Sequence, residues 1–300
     1  MTACLDGHNQ EEMFTIMTGT GRNGKGVLSK IMTAAFGGYA LEIKPELLTR
    51  PRPDASSPSP ELLYLKGKRW VNTTEPKRTE QMNEEFLKFL TGNDTISGRL
   101  CHENDNFRFA PQHSLTIEAN KIPKLDAEDD ALYLRCREVH WPFQFKTNPN
   151  PKKKNEKAVD TNIKKHCCHW GPQVMKLLCD NYSNYKKMPQ GLEPTEAVRM
   201  NVEKLRKAND PYANFIGEKL VQSKNEPDGV SQMKANVEAA KYFSNHDFVF
   251  NKNKLTSAIN NWLGLEDKKP SNHKFDGASR PGWRGIKFVT EEDGNESEDQ

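Results

Sequence analysis

The stretch that decides the fold runs Met13-Phe-Thr-Ile-Met-Thr-Gly-Thr-Gly-Arg-Asn-Gly-Lys-Gly-Val-Leu-Ser-Lys-Ile-Met-Thr-Ala-Ala-Phe36. Its first six residues are apolar or β-branched and end in a glycine cluster, which predicts a short buried strand. Beyond the glycines, Val27, Leu28, Ile31, Met32, Ala35 and Phe36 recur at helical spacing until Gly37-Gly38 ends the pattern. The segment between, Gly19-Thr-Gly-Arg-Asn-Gly-Lys-Gly26, is therefore a strand-to-helix turn of the form G-x-x-x-x-G-K. Such a turn cradles phosphate. Its glycines let backbone N–H groups converge, the helix N-terminus adds partial positive charge, and the lysine reaches the β- and γ-phosphates. Gly19, Thr20, Gly21, Arg22, Asn23, Gly24, Lys25, Gly26 and Val27 are the predicted nucleotide contacts. Gly26 stands where the pattern carries a Ser or Thr whose hydroxyl holds Mg²⁺.

Working outward, Trp70-Val-Asn-Thr-Thr74 reads as a second strand and His113-Ser-Leu-Thr-Ile-Glu-Ala119 as a third, with a helix marked by Met82, Phe86, Phe89 and Leu90 between them. Strands alternating with helices predict an α/β layer with a parallel sheet up to about residue 145. Ligands of open α/β sheets bind at the carboxyl ends of the strands. Each strand brings one polar residue to that rim: Lys25, then Glu75 as the base or Mg²⁺-organising acid, then Asn120 as an amide facing the γ-phosphate or the attacking water. Thr74 stands where many such sites carry an aspartate. Residues 50–60, with four prolines and three serines, read as an exposed loop, and 147–155 as a solvated linker. Further helices are expected around Trp170, Val174, Leu177 and Leu178, after Asp210-Pro211, and over 254–263, the last followed by an edge strand at 282–289. The expected domains are 1–146, 147–210 (linker and helical), 211–290 and an acidic disordered tail, 291–300.

Composition excludes several classes. Of 300 residues, 35% are hydrophobic and 28% charged, so the chain is neither fibrous nor a membrane bundle. No secretory signal opens it and no apolar run reaches spanning length, so a soluble intracellular protein with no membrane partner is expected. Six irregularly spaced cysteines make no disulfide framework. His166-Cys-Cys-His169 has no second ligand pair at zinc-site spacing, and a zinc site is not expected there. The net charge of +3 hides an asymmetry: the last ten residues hold six acids and no base, which leaves residues 1–290 at +9. A basic body suits a polyanionic partner.

Five further features, in order, give the chain a family likeness. It resembles the ATPase domain of superfamily 3 helicases, in the primase-helicase group of poxviruses, giant viruses and phages. The features are the glycine turn, the strand ending in Glu75, the segment Asn83-Glu-Glu-Phe-Leu-Lys-Phe-Leu-Thr-Gly-Asn-Asp-Thr-Ile-Ser-Gly-Arg99, the sensor strand with Asn120-Lys-Ile-Pro123, and Asp130-Ala-Leu-Tyr-Leu-Arg-Cys-Arg-Glu-Val-His-Trp-Pro-Phe143. The likeness continues to the terminal Gly282-Trp-Arg-Gly-Ile286 and covers nearly the whole chain.

The resemblance implies an AAA+ type P-loop fold followed by a helical and winged-helix C-terminal region, with ATP and Mg²⁺ as cofactors. Lys25 would bind phosphates, Glu75 would organise Mg²⁺ and activate water, and Asn120 would sense the γ-phosphate. Arg135 or Arg137 would be the finger that enters a neighbouring subunit's site, with Cys136 between them leaving the choice open. Implied partners are single-stranded DNA, translocated 3′ to 5′, and copies of the chain in a hexameric ring. A primase domain or protein outside this chain is expected too, with the host-cell cytoplasm or a viral factory as location. Residues 96–109 read as a hairpin that in the family grips DNA, with Lys88, Arg99, His102 and Arg108 as contacts and Phe107 or Phe109 either stacking on bases or buried in the core. In the C-terminal region Lys252, Lys254, Lys274, Arg280, Arg284 and Lys287 could serve nucleic acid or subunit packing. A rival from another class is a ring-assembly protein that binds nucleic acid with weak or no hydrolysis, motivated by Gly26 and Thr74. A small-molecule kinase is disfavoured by the sensor asparagine and the hairpin.

Overall fold

A computed structural model describes residues 1–51, 58–74, 81–100, 106–121, 123–189, 191–223, 228–246, 248–265 and 269–289. Glu75, His102 and the acidic tail lie outside the described residues. The chain forms two compact units, Met1–Arg206 and Lys207–Gln300.

The first unit is α/β. Its elements are β1 (Phe14–Thr18), α1 (Lys25–Phe36), β2 (Ala40–Glu42), α2 (Pro60–Leu63), β3 (Trp70–Thr74), α3 (Glu84–Thr91), β4 (Ile96–Arg99), β5 (Asn106–Phe109), β6 (Ser114–Ala119), α4 (Asp130–Arg135), β7 (Cys136–His140), β8 (Gln144–Lys146), β9 (Glu156–Ala158), α5 (Ile163–His166), α6 (Gly171–Lys186) and α7 (Glu196–Asn209). Five of the strands make one wholly parallel sheet in the order β2-β3-β6-β1-β7. The connection leaving β1 leads to the β2 edge, whereas β7 follows β6 on the far side of β1, so the strand order reverses at β1. Such a reversal opens a crevice at the carboxyl ends of the strands.

The apolar runs become the core. Phe14, Ile16, Val71, Leu115 and Ile117 are buried together with Phe86, Leu87 and Leu90, each burial contributing roughly 1.5–3 kcal/mol. Helix α3 starts where Asn83 accepts a hydrogen bond from the Phe86 N–H at 2.7 Å, an N-cap, and Gly92 follows its end. It turns Phe86, Phe89 and Leu90 inward and leaves Glu84 and Glu85 less covered. Residues 147–206, set apart above as linker and helical region, cluster with this first unit. Helix α6 packs on α1 so closely that a Cβ at Gly171 would lie 2.8 Å from the Ala34 backbone.

The second unit has its own core. It comprises α8 (Pro211–Lys219), β10 (Leu220–Gln222), β11 (Gly229–Ser231), α9 (Gln232–Asn245), α10 (Lys252–Trp262), β12 (Asn272–Phe275), β13 (Ala278–Arg284) and β14 (Ile286–Phe288). Phe215, Phe243, Leu255, Ile259, Trp283 and Ile286 form its centre. Asp210 caps α8 by accepting from the Tyr212 and Ala213 N–H groups, with Pro211 in the first turn. The β12–β13 hairpin, absent from the sequence reading, turns at Asp276-Gly277, both at positive φ. Asp-Gly between strand-forming residues is the signal that would have found it.

Candidate functional site

The glycine turn joins β1 to α1 as expected, and its backbone explains its composition. Gly24, the residue before α1, sits at φ +96°, a left-handed conformation that favours glycine. At Gly19 a Cβ would collide with Asn23 Nδ2 and lie 2.8 Å from the Trp141 carbonyl oxygen. The turn is also tied to the chain beyond β7: Trp141 N–H donates to the Thr18 carbonyl and Phe145 N–H to the Arg22 carbonyl, both at 2.8 Å. The Trp141 and Phe145 rings stand 3.6 and 3.8 Å from the position of a Cβ on Gly24.

Lys25 opens α1 and is almost wholly buried, an expensive state for an ammonium without partners. Its Nζ donates to the Gly19 carbonyl at 3.3 Å, to Asn23 Oδ1 at 3.2 Å and to Asn120 Oδ1 at 3.1 Å. Asn120 directly follows β6, the strand next to β1, so adjacent strands deliver both residues to one rim. Asn23 Nδ2 and Thr73 Oγ1 are buried there without a hydrogen-bond partner among the described residues. Beneath the turn, Glu118 of β6 is buried and accepts a hydrogen bond from Ser29 Oγ, one helical turn after Lys25. Sequence reasoning assigned Glu118 no part; in the strand pattern it is only the polar residue between Ile117 and Ala119.

The chain is similar to three viral proteins. A protein of Acanthamoeba polyphaga mimivirus, named "Putative helicase L207/L206", is 31% identical over 241 residues, which are 78% of this chain and 25% of that protein. A protein of African swine fever virus, named a "Putative primase", is 25% identical over 227 residues, 71% of this chain and 23% of that protein. The chain belongs to the viral primase-helicase family. A helicase-named protein of frog virus 3 (isolate Goorha) is 32% identical over 148 residues, 48% of this chain and 15% of that protein. The chain therefore spans a quarter or less of the length of these relatives. No family model matches it. A solved apo structure of the NrS-1 C-terminal region aligns with 94% of the chain and 70% of its own, at TM-score 0.45 and 14% identity.

The two arginines expected as fingers are held by other partners. Arg135, ending α4, donates to the Lys88 carbonyl and to Glu12 Oε2, each at 2.9 Å. Arg137 lies in β7 opposite Thr15, near the start of β1 and so toward the other end of the sheet from Lys25. Its Nη1 donates to the Leu134 and Cys136 carbonyls. Burial, with Glu138 adding, pushes the Cys136 thiol between the two arginines up to about 12, so it stays protonated.

Strands β4 and β5 form the expected antiparallel hairpin, with Ser97 opposite Arg108 and Arg99 opposite Asn106. Arg108 is exposed and Arg99 half-buried, whereas the Lys88 ammonium is 2.6 Å from Asp129 Oδ2. Burial raises the Asp129 pKa, but hydrogen bonds from Lys88 and from the Leu132 N–H outweigh it and hold the carboxyl below the usual range. Phe107 and Phe109 pack against the core, 6.1 Å apart, and a Cβ at Gly98 would strike the Phe107 ring. Of the two readings for these aromatics, the geometry matches the core. In the second unit Lys252, Lys254 and Lys274 are exposed, Arg280 and Lys287 half-buried, and Arg284 lies over the Phe275 ring at 5.3 Å.

Proposed function

We propose that this chain is the ATP-hydrolysing motor part of a viral replication helicase. It would work as a hexameric ring that moves along single-stranded DNA. The observation that carries this reading is the convergence of Lys25 and Asn120 at the rim beside the glycine turn. The buried Nδ2 of Asn23 and the crowding that excludes a Cβ at Gly19 fit a turn whose backbone approaches phosphate closely. In this reading Lys25 offsets charge developing on the phosphoryl oxygens and Asn120 holds the terminal phosphate or the attacking water. Glu75, the residue after β3, accepts the water's proton. AAA+ topology is supported by the parallel order β2-β3-β6-β1-β7, with the glycine turn after β1, the strand between β6 and β7. The second unit, three helices with the β12–β13 hairpin, supports the winged-helix reading.

An arginine finger acting in trans fits the placement of Arg135 and Arg137. Arg137 sits toward the opposite end of the sheet from Lys25 of its own chain, so either residue would serve a neighbour in a head-to-tail ring. Among the described residues no helix is long and apolar enough to cross a membrane. A second reading, nucleic-acid-binding ring assembly with weak or no hydrolysis, is favoured by one specific observation: Gly26 brings no hydroxyl to the phosphate turn. ATP hydrolysis measured with and without single-stranded DNA separates them. The motor reading expects DNA-stimulated turnover that Lys25→Ala and Glu75→Gln abolish; turnover no higher than in these variants would sink it.

A further inference from the structure

The chain leaving β7 carries three aromatic side chains within five residues, Trp141, Phe143 and Phe145. None of them belongs to an apolar core of the described residues. Two of the rings stand instead against the glycine turn: those of Trp141 and Phe145 lie 3.6 and 3.8 Å from the position of a Cβ on Gly24, the residue just before Lys25. The third, Phe143, has Lys157 Nζ at 5.6 Å from its ring centre.

Holding the turn does not require these rings. Backbone bonds already do so, from the Trp141 N–H to the Thr18 carbonyl and from the Phe145 N–H to the Arg22 carbonyl. The Phe145 ring is also held in a fixed direction. Strand β8 pairs with β9, and side chains alternate along a strand, so Phe145 faces away from its neighbours Gln144 and Lys146. Lys146 is tied down by Glu156 at 2.8 Å. Phe145 stands against the turn and is nevertheless 36% exposed. An aromatic ring fixed at the surface beside a phosphate-binding turn has the chemistry of a stacking platform, pre-organised and therefore cheap to bind on. The ligand, moreover, has a half that nothing yet holds: Lys25, Asn120 and the glycine turn all address phosphate.

We infer that Phe145, together with Trp141, is the platform on which the purine base of the bound nucleotide stacks. The inference rests on the nucleotide reading above and adds to it the residues that hold the base.

The test uses binding, not turnover. Affinities of the full chain for ATP and for inorganic triphosphate are measured by calorimetry. Triphosphate has no base to stack, so Phe145→Ala should leave its affinity within about twofold while weakening ATP about tenfold or more, as loss of a stacked ring does. Phe145→Tyr keeps the ring face and should bind ATP within about threefold of the wild type. Equal losses of ATP and triphosphate affinity in Phe145→Ala would overturn the inference, since the ring would then be supporting the turn. Unchanged ATP affinity in that variant would overturn it too; if binding of single-stranded oligothymidylate fell at the same time, the ring would belong to DNA. Wild-type chain that binds neither ATP nor triphosphate, with or without Mg²⁺, would instead remove the nucleotide reading itself.

Discussion

The two units treat buried polar groups differently. Among the described residues the first buries Asn9, Thr18, Asn23, Lys25, Ser29, Ser59, Asn72, Thr73, Thr91, His113, Thr116, Glu118 and Glu138, while the second buries Asn209, Ser231 and Asn260. In the second unit the partners are structural. Ser231 caps α9 by accepting from the Lys234 N–H, and Asn260 Oδ1 accepts from the Trp283 indole at 2.8 Å. In the first unit several of these groups gather at the sheet rim, and Asn23 and Thr73 keep an atom unpaired. Buried polar atoms without partners cost stability, and at this rim they stand beside the buried Lys25 ammonium, where that cost fits a place kept for binding or chemistry.

The sharpest way to break this contrast is Lys25→Met, which removes a buried charge but keeps a long side chain. If the rim is chemical, turnover falls roughly 100-fold or more, about 3 kcal/mol in the barrier, while the denaturant midpoint shifts only by the balance between a buried charge removed and the acceptors Gly19, Asn23 and Asn120 left without their donor. A large drop in the midpoint with turnover retained would make Lys25 a structural residue and erase the difference between the units.

His113 gives a second, pH-based test. It precedes β6, is fully buried, and neither ring nitrogen has a partner among the described residues. Burial alone pushes its pKa down to about 4. The unfolded chain takes up the proton near pH 6.5 while the folded chain resists it until about 4. Stability is therefore complete above pH 6.5 and is lost as pH falls through that window, by roughly 3 kcal/mol in all. Urea unfolding from pH 7 to 4 should show this slope, and His113→Gln should flatten it. An unchanged slope in the variant would assign the acid sensitivity to other groups.

In the second unit, Asn260→Ala leaves the Trp283 N–H buried without its acceptor, a cost of roughly 1–3 kcal/mol. Urea unfolding should report that loss while ATP turnover stays at the wild-type level. Reduced turnover with unchanged stability would show that the second unit also spends a polar group on function.

What could be read from the sequence divides along physical lines. Strands β1, β3 and β6, helix α1 and the turn between β1 and α1 were legible because each is written in contiguous residues: an apolar run, a glycine cluster, a helical period. The rim pair Lys25–Asn120 was legible because Lys25 opens the helix after the glycine turn and Asn120 directly follows β6. Strand β2 was not, since Ala40–Glu42 is three residues long and borrows its geometry from β3 at the sheet edge. Glu118 was not, because its burial and the hydrogen bond from Ser29 bring together residues far apart in sequence. The units divide at Arg206, close to the boundary expected at 210.

The smallest predicted effect guards the comparison against a trivial explanation, that one unit is simply more fragile. Asn251 caps α10 by accepting from the Asn253 and Lys254 N–H groups, as Asn83 caps α3 in the first unit. Each cap satisfies otherwise orphaned donors in the same way, so Asn251→Ala and Asn83→Ala should each cost about 1 kcal/mol. Equal losses in urea unfolding would mean that ordinary structural contacts count alike in both units. The different response to Lys25→Met and Asn260→Ala would then belong to the chemistry of the rim. A cap worth several-fold more in one unit than in the other would instead trace the contrast to local stability.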